Sequence, residues 1–161
     1  MYRLFIISTL LLSIHFYSCQ SSEKQIGLSE EEIELKELLS NYYNTMSERD
    51  WQGYKSFFSE DATLTSIWQS PGKDEPEIHT NTITSFLAQT KDGPDSQPIF
   101  EEKMISADIT VKNNLACAWV NYEAKFGTSD NLMEWKGMDL FSFIKYNGHW
   151  KITGLTFESI E

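Results

Sequence analysis

Positive charge is scarce in this chain. Lysine and arginine number 13 against 24 aspartates and glutamates, for a formal net charge of −11 at pH 7, and Arg3 is the only lysine or arginine in the first twenty positions. A chain so short of cations has nothing with which to neutralise a phosphate backbone, so nucleic acid is excluded as a partner. Cysteine is scarcer: Cys19 and Cys117 are the only two. With Cys19 committed to the amino-terminal segment, Cys117 stands alone and no intramolecular disulfide is available even in an oxidising compartment. Past the amino-terminal segment, soft metal ligands beyond Cys117 amount to His79 and His149, each isolated in sequence, so no metal is expected. Also missing are a Gly-x-Ser-x-Gly elbow, a phosphate-cradling glycine loop, a dinucleotide fingerprint and a His-Glu-x-x-His helix, and nothing calls for a cofactor.

What is present begins with an export signal. Arg3 is followed by the apolar run Leu4 to Leu12, too short to cross a bilayer, where a helix needs ~20 apolar residues. Residues 1–18 are therefore read as a signal peptide. Ser18 before Cys19, with polar Gln20-Ser21-Ser22-Glu23-Lys24 behind it, resembles a bacterial lipoprotein cleavage site with Cys19 carrying the lipid. The alternative is ordinary secretion, with Cys19 an incidental thiol. Residues 19–28 read as a tether. The expected location is periplasmic, or the outer membrane through the lipid on Cys19.

Residues 29–161 make one domain. With 161 residues in all, 40% hydrophobic and 14% aromatic, the chain can bury a substantial core. Ser29-Glu30-Glu31-Glu32 is a capping box opening a helix to about Ser47, with Leu35, Leu38, Leu39, Tyr42 and Met46 on one stripe. Asp50 caps a second helix carrying Trp51, Tyr54, Phe57 and Phe58, which Ser59-Glu60-Asp61 ends. Ala62 to Gln69 alternates as a strand, Ser70 to Glu77 is a loop, and Thr80 to Gln89 is a third short helix. Four strands follow: Ile99–Lys112, Leu115–Phe126, Trp135–Tyr146 and His149–Glu158, mostly antiparallel. Asn147-Gly148 is the preferred two-residue turn, and it sets a register pairing Tyr146 with His149, Phe143 with Ile152, Phe141 with Gly154 and Asp139 with Thr156.

The segments Glu48–Leu64, Leu115–Phe126 and Gly137–Gly154, in that order behind a capped helix, resemble the nuclear transport factor 2-like superfamily, closest to its SnoaL-like and ketosteroid-isomerase-like groups. The resemblance implies an α+β cone in which a curved antiparallel sheet wraps three N-terminal helices and leaves an apolar pocket. It also implies a homodimer through the outer sheet face, where the expected register puts Met138, Leu140, Leu155 and Phe157 among Ser142, Lys151 and Thr153; a partly solvated sheet with scattered apolar residues is the alternative. Laying the isomerase motif on Asp61-Ala62-Thr63 puts the motif's tyrosine at Tyr42 and its base at Ser66, which cannot accept a proton unaided. The second acid falls near Ser142, and Asp139 is the nearest carboxylate.

Three functions follow from this reading. The first is a domain binding a small apolar molecule through Tyr42, Ser66, Trp68, Phe86, Trp119 and Asp139. The second is a cyclase or isomerase acting beside a carbonyl with Tyr42 and Asp139 as its polar pair. The third is a structural dimerisation module. Tyr42 has the alternative of a core residue satisfied by a backbone carbonyl, and Asp139 that of a rim residue satisfied by Thr156. Trp68 and Trp119 have the alternative of core or rim aromatics.

Overall fold

The computed structural model describes residues 27–68 and 73–160, the side chain of Trp68 excepted. The signal peptide, Cys19 and most of the tether lie outside the described residues.

Helix α1 spans Glu30–Ser47. The capping box forms as the sequence requires: the Glu32 amide donates to Ser29 Oγ at 3.2 Å, and the Ser29 amide donates to Glu32 Oε2 at 2.6 Å. Leu35, Leu39, Tyr42, Tyr43 and Met46 are its buried side. Arg49, with φ of 61°, turns the chain, and Asp50 caps α2 (Trp51–Ser56) by accepting from the Gly53 amide at 2.9 Å. Then come β1 (Phe58–Trp68), β2 (Glu77–Thr82), α3 (Ile83–Ala88), two single 3-10 turns over 90–96, β3 (Ile99–Lys112), β4 (Leu115–Thr128), β5 (Asn131–Tyr146) and β6 (His149–Ile160).

The strands form one sheet in the order β2-β1-β6-β5-β4-β3, antiparallel throughout except for the parallel β1–β6 pair. Its inner face receives the helices, with α1 lying against β3. Inward residues alternate along β4 as Ala116, Ala118, Val120, Tyr122 and Ala124, and along β5 as Gly137, Asp139, Phe141 and Phe143. Facing Tyr42, Tyr43 and Tyr54, they make an aromatic core that fills the cone.

Three readings are corrected. The acidic stretch Ser59-Glu60-Asp61 lies inside β1, which starts at Phe58, because α2 already ends at Ser56. Glu77 to Thr82, read as loop and helix start, is a strand pairing with β1, and the third helix begins only at Ile83, capped by Thr82. The Asn147-Gly148 turn forms with φ of 50° and 80°, and Tyr146–His149 and Phe143–Ile152 pair as expected. Beyond Phe143, however, a bulge at Thr153 shifts the register by one, so Phe141 faces Leu155 and Asp139 faces Phe157. One extra residue moves Leu155 into the core and sends Thr156 outward.

Candidate functional site

The buried carboxyl of Asp139 and four tyrosines meet inside the cone, and the half-buried Glu102 lies close enough to feel the charge of Asp139. Because α1 lies in the concave face of the sheet, adjacent positions 42 and 43 are both buried while pointing about 100° apart around the helix. Tyr42 turns toward α2, and its hydroxyl lies 2.9 Å from that of Tyr54. Tyr43 turns toward β4 and β5. Its hydroxyl donates to Asp139 Oδ2, and its ring stacks on that of Tyr122 at 6.4 Å. Asp139 is 4% exposed, held between Gly137 and Phe141 on the inward side of β5.

The second acid is Glu102 of β3. Its backbone is pinned to the end of α1 by Ser47, whose Oγ accepts from the Glu102 amide at 2.8 Å and donates to the Glu102 carbonyl at 2.9 Å. The Glu102 side chain is only half-buried, and its carboxyl keeps access to solvent. Nearby, Arg49 Nη2 donates to the Gln97 carbonyl at 2.8 Å and Trp51 Nε1 to Asp95 Oδ2 at 3.0 Å. These bonds tie the 90–98 segment to the α1–α2 corner.

Burial governs the electrostatics. It pushes Asp139 up to about 7, opposed by the Tyr43 hydroxyl, which stabilises the carboxylate. Glu102 is pushed up to about 8, by burial first and then by the charge of Asp139. Tyr122 is pushed up to about 12, and burial raises Tyr42, Tyr43 and Tyr54 further, so all four phenols stay protonated near neutral pH. Asp139 is the charged group that acts on Glu102, whereas burial and the Tyr43 hydroxyl are what act on Asp139. The cluster therefore contains protonated phenols beside two acids whose ionisation falls near neutral pH. No three His, Cys, Asp or Glu side chains come together as a metal site among the described residues.

The residues singled out from sequence divide. Tyr42 and Asp139 both lie in the cluster, but they do not touch. The helix position that meets the acid is Tyr43, one residue along, and Tyr42 is satisfied by Tyr54 rather than by a backbone carbonyl. The rim reading of Asp139 fails because Thr156 points outward opposite Leu140. Phe86 packs on Trp51 and Tyr54, at 6.1 and 5.8 Å between ring centroids, as a wall behind the cluster. Ser66 and Trp119 do come together, but on the other side of the sheet, in an open apolar groove of about 370 Å³ with Ile78, Met138 and Leu140. Trp68 lies on β1, and its side chain is outside the described residues. A larger, more polar groove of about 890 Å³ runs along β4 and β5, past Asn121, Lys125, Glu134 and Lys136, and reaches the cluster's Tyr122 beside Gly137.

Sequence reasoning missed Tyr43, Tyr54, Tyr122 and Glu102 as site residues. Glu102 had a usable signal, since it shares strand parity with the buried Phe100, which puts a carboxylate on the inward face.

Comparison with solved structures identifies the fold. A protein of unknown function from Mycobacterium tuberculosis superposes with a TM-score of 0.65 at 15% identity, covering 81% of this chain and 72% of that one. A nuclear transport factor 2-like protein with a cystatin-like fold from Novosphingobium aromaticivorans gives 0.62 at 14% identity, with 80% and 81% covered. A hexachlorocyclohexane dehydrochlorinase from Novosphingobium barchaimii gives 0.65 at 12%, with 80% and 86% covered. At such identities the likeness concerns fold alone, which is that of the nuclear transport factor 2-like superfamily. No curated protein matches the chain. A family profile does, over residues 30–158, which takes in every element from α1 to β6 and all six cluster residues. On that match the chain belongs to the family described as "Putative lumazine-binding".

Proposed function

We propose that this protein binds a small planar heteroaromatic molecule of lumazine's class, with the acid–tyrosine cluster of the cone as its recognition set. The observation that carries this reading is the buried Asp139 carboxyl, held by the Tyr43 hydroxyl among aromatic rings. A core that needs only filling gains nothing from burying an acid, and Asp139 also raises the cost of ionising Glu102. Groups held so far from their ordinary ionisation equilibria mark functional sites more often than packing sites. Aromatic walls and a few convergent polar groups suit a flat ring system with hydrogen-bonding edges. Titrating the full chain with lumazine while following tryptophan and ligand fluorescence tests the proposal. Saturable binding that weakens on Tyr43→Phe supports it, and no binding up to millimolar lumazine contradicts it.

A second reading is a dimerisation module. It is favoured by the fully buried Tyr42, Tyr43, Tyr54, Phe141 and Phe143 filling the cone, and by the apolar outward groove around Trp119, which is 50% exposed. Pairing of two copies through this sheet face is compatible with ligand binding in the cone. The Tyr43–Asp139 pair would also suit an isomerase or cyclase acting beside a carbonyl, since a phenol and a protonated acid can hold a developing oxyanion. That reading requires turnover of an enolisable substrate that Asp139→Asn abolishes. The amino-terminal sequence supports export with a lipid on Cys19 and a periplasmic or outer-membrane site. Intact-protein mass spectrometry decides this by the presence or absence of acyl mass on a chain beginning at Cys19.

A further inference from the structure

The larger groove has no part in the reading above. It holds about 890 Å³, within the range of small-molecule sites, where β4 and β5 run side by side over residues 121–125 and 134–137. At its edge the register of β3 against β4 slips between Met104 and Ser106, a bulge of the kind that bends a strand beside binding sites. The charges of the groove cancel. Four charged residues line it, Glu123, Lys125, Glu134 and Lys136. Lys125 is paired with Glu134 at 2.9 Å, and Lys136 stands across the strand pair from Glu123. A free anion or cation therefore gains little net attraction here.

The polar groups nevertheless offer donors and acceptors side by side. Asn121 Nδ2 donates to Ser106 Oγ at 3.0 Å, which leaves the Asn121 carbonyl to accept and the Ser106 hydroxyl proton to donate. A hydroxyl both donates and accepts through one atom, so a row of hydroxyls satisfies such a mixed lining. Trp135 adds an aromatic wall: it is half-buried, and its indole adjoins the Tyr122 hydroxyl. The slightly positive C–H face of a sugar ring complements the negative face of an indole. A purely apolar ligand would strip water from the lysines and glutamates and return no hydrogen bonds.

We propose that this groove is a second binding site, for a neutral oligosaccharide lying along β4 and β5, with Trp135 against one ring and Ser106, Asn121 and Lys136 bonding its hydroxyls. Residues 121–125 of an extended strand cover about 13 Å, room for a short oligosaccharide rather than a single sugar. The site is separate from the cluster and does not rest on the function proposed for it.

The test is isothermal titration of the full chain with cellohexaose, xylohexaose and mannohexaose, and with hexagalacturonate as an anionic counterpart. The expected result is saturable binding of at least one neutral probe, tighter than that of hexagalacturonate. Trp135→Ala should weaken it by about tenfold, the scale of one lost aromatic contact. Asn121→Ala, at an exposed position, should weaken it several-fold. Thermal melting shows whether Trp135→Ala folds; if it does not, Asn121→Ala decides. No binding of any neutral probe at millimolar concentration, binding unmoved in the folded variants, or tighter binding of hexagalacturonate overturns the inference. So does a dimer by sedimentation velocity that binds none of the sugars, because a second copy then covers this face. Lumazine titration of the same sample reads the cluster separately, so either proposal can fail without the other.

Discussion

Replacing Asp139 with asparagine should reverse part of the protein's response to pH. An aspartate in the unfolded chain titrates near 3.8, whereas Asp139 in the fold is pushed to about 7. Between those values the folded protein keeps a proton that the unfolded chain has lost, so stability falls as pH rises, by about 1.4 kcal/mol per pH unit. The contribution is fully present below pH 4 and is lost as pH passes through 7. From pH 5 to pH 9 the loss at this one group is on the order of 3 kcal/mol. Asparagine keeps the carbonyl that accepts from Tyr43 but has no proton to lose. It also removes the charge that raises Glu102, so the pair's coupled titration collapses to one site. Urea unfolding at pH 5, 7 and 9 reads the effect as a change in midpoint at constant slope. The variant should gain on the parent by about 3 kcal/mol across that range, within a factor of two. Parallel pH profiles for the two proteins would show that Asp139 is ionised in the fold, and would refute the desolvated pair.

Other perturbations address separate parts of the structure. Tyr43→Phe removes the one donor to Asp139 and should cost about 1–3 kcal/mol in urea unfolding at pH 7, while raising the Asp139 titration midpoint further, as carboxyl infrared bands would report. Gly137→Ala would place a Cβ 2.2 Å from the Tyr122 ring, which crosses the strand there, and should destabilise the fold by roughly 1–3 kcal/mol through overpacking. A shift under about 0.5 kcal/mol would mean that Tyr122 moves aside freely. If two copies pair through the outward sheet face, Trp119→Glu sets a charge in its apolar groove and should turn a dimer into a monomer by sedimentation velocity, with thermal melting of the monomer unchanged.

Local chemistry made most of the fold readable from sequence. The Ser29–Glu32 box, the Asp50 cap and the Asn147-Gly148 turn each satisfy backbone groups through near neighbours, and each formed as its residues require. The long alternating strands were equally legible, because period two admits one inward set. What escaped depends on distant partners. β2 is a strand because β1 lies beside it, and Glu77 to Thr82 shows little internal sign of this. The bulge at Thr153 exists because the sheet must bend around the helices, and no turn residue announces it. The site was half legible for the same reason. Helical spacing puts Tyr42 on the apolar stripe, but only the curvature of the sheet around α1 buries Tyr43 as well and brings it to Asp139, 96 residues away. Glu102, flanked by Glu101 and Lys103, looks like part of a solvated charged run until α1 covers its face of β3.

The central claim is that the acid–tyrosine cluster, rather than either outward groove, receives the ligand. Protein labelled at both tyrosine and tryptophan and observed by NMR during titration with lumazine tests it directly. Tyr42, Tyr43 and Tyr54 lie in the cluster and line neither groove, Tyr122 borders the larger groove as well, and Tyr146, 71% exposed beside the β5–β6 turn, serves as an internal reference. The account predicts saturable shifts in the four cluster rings with Tyr146 unmoved. Shifts confined to the Trp119 indole in the outward groove, with the cluster tyrosines silent, would contradict it.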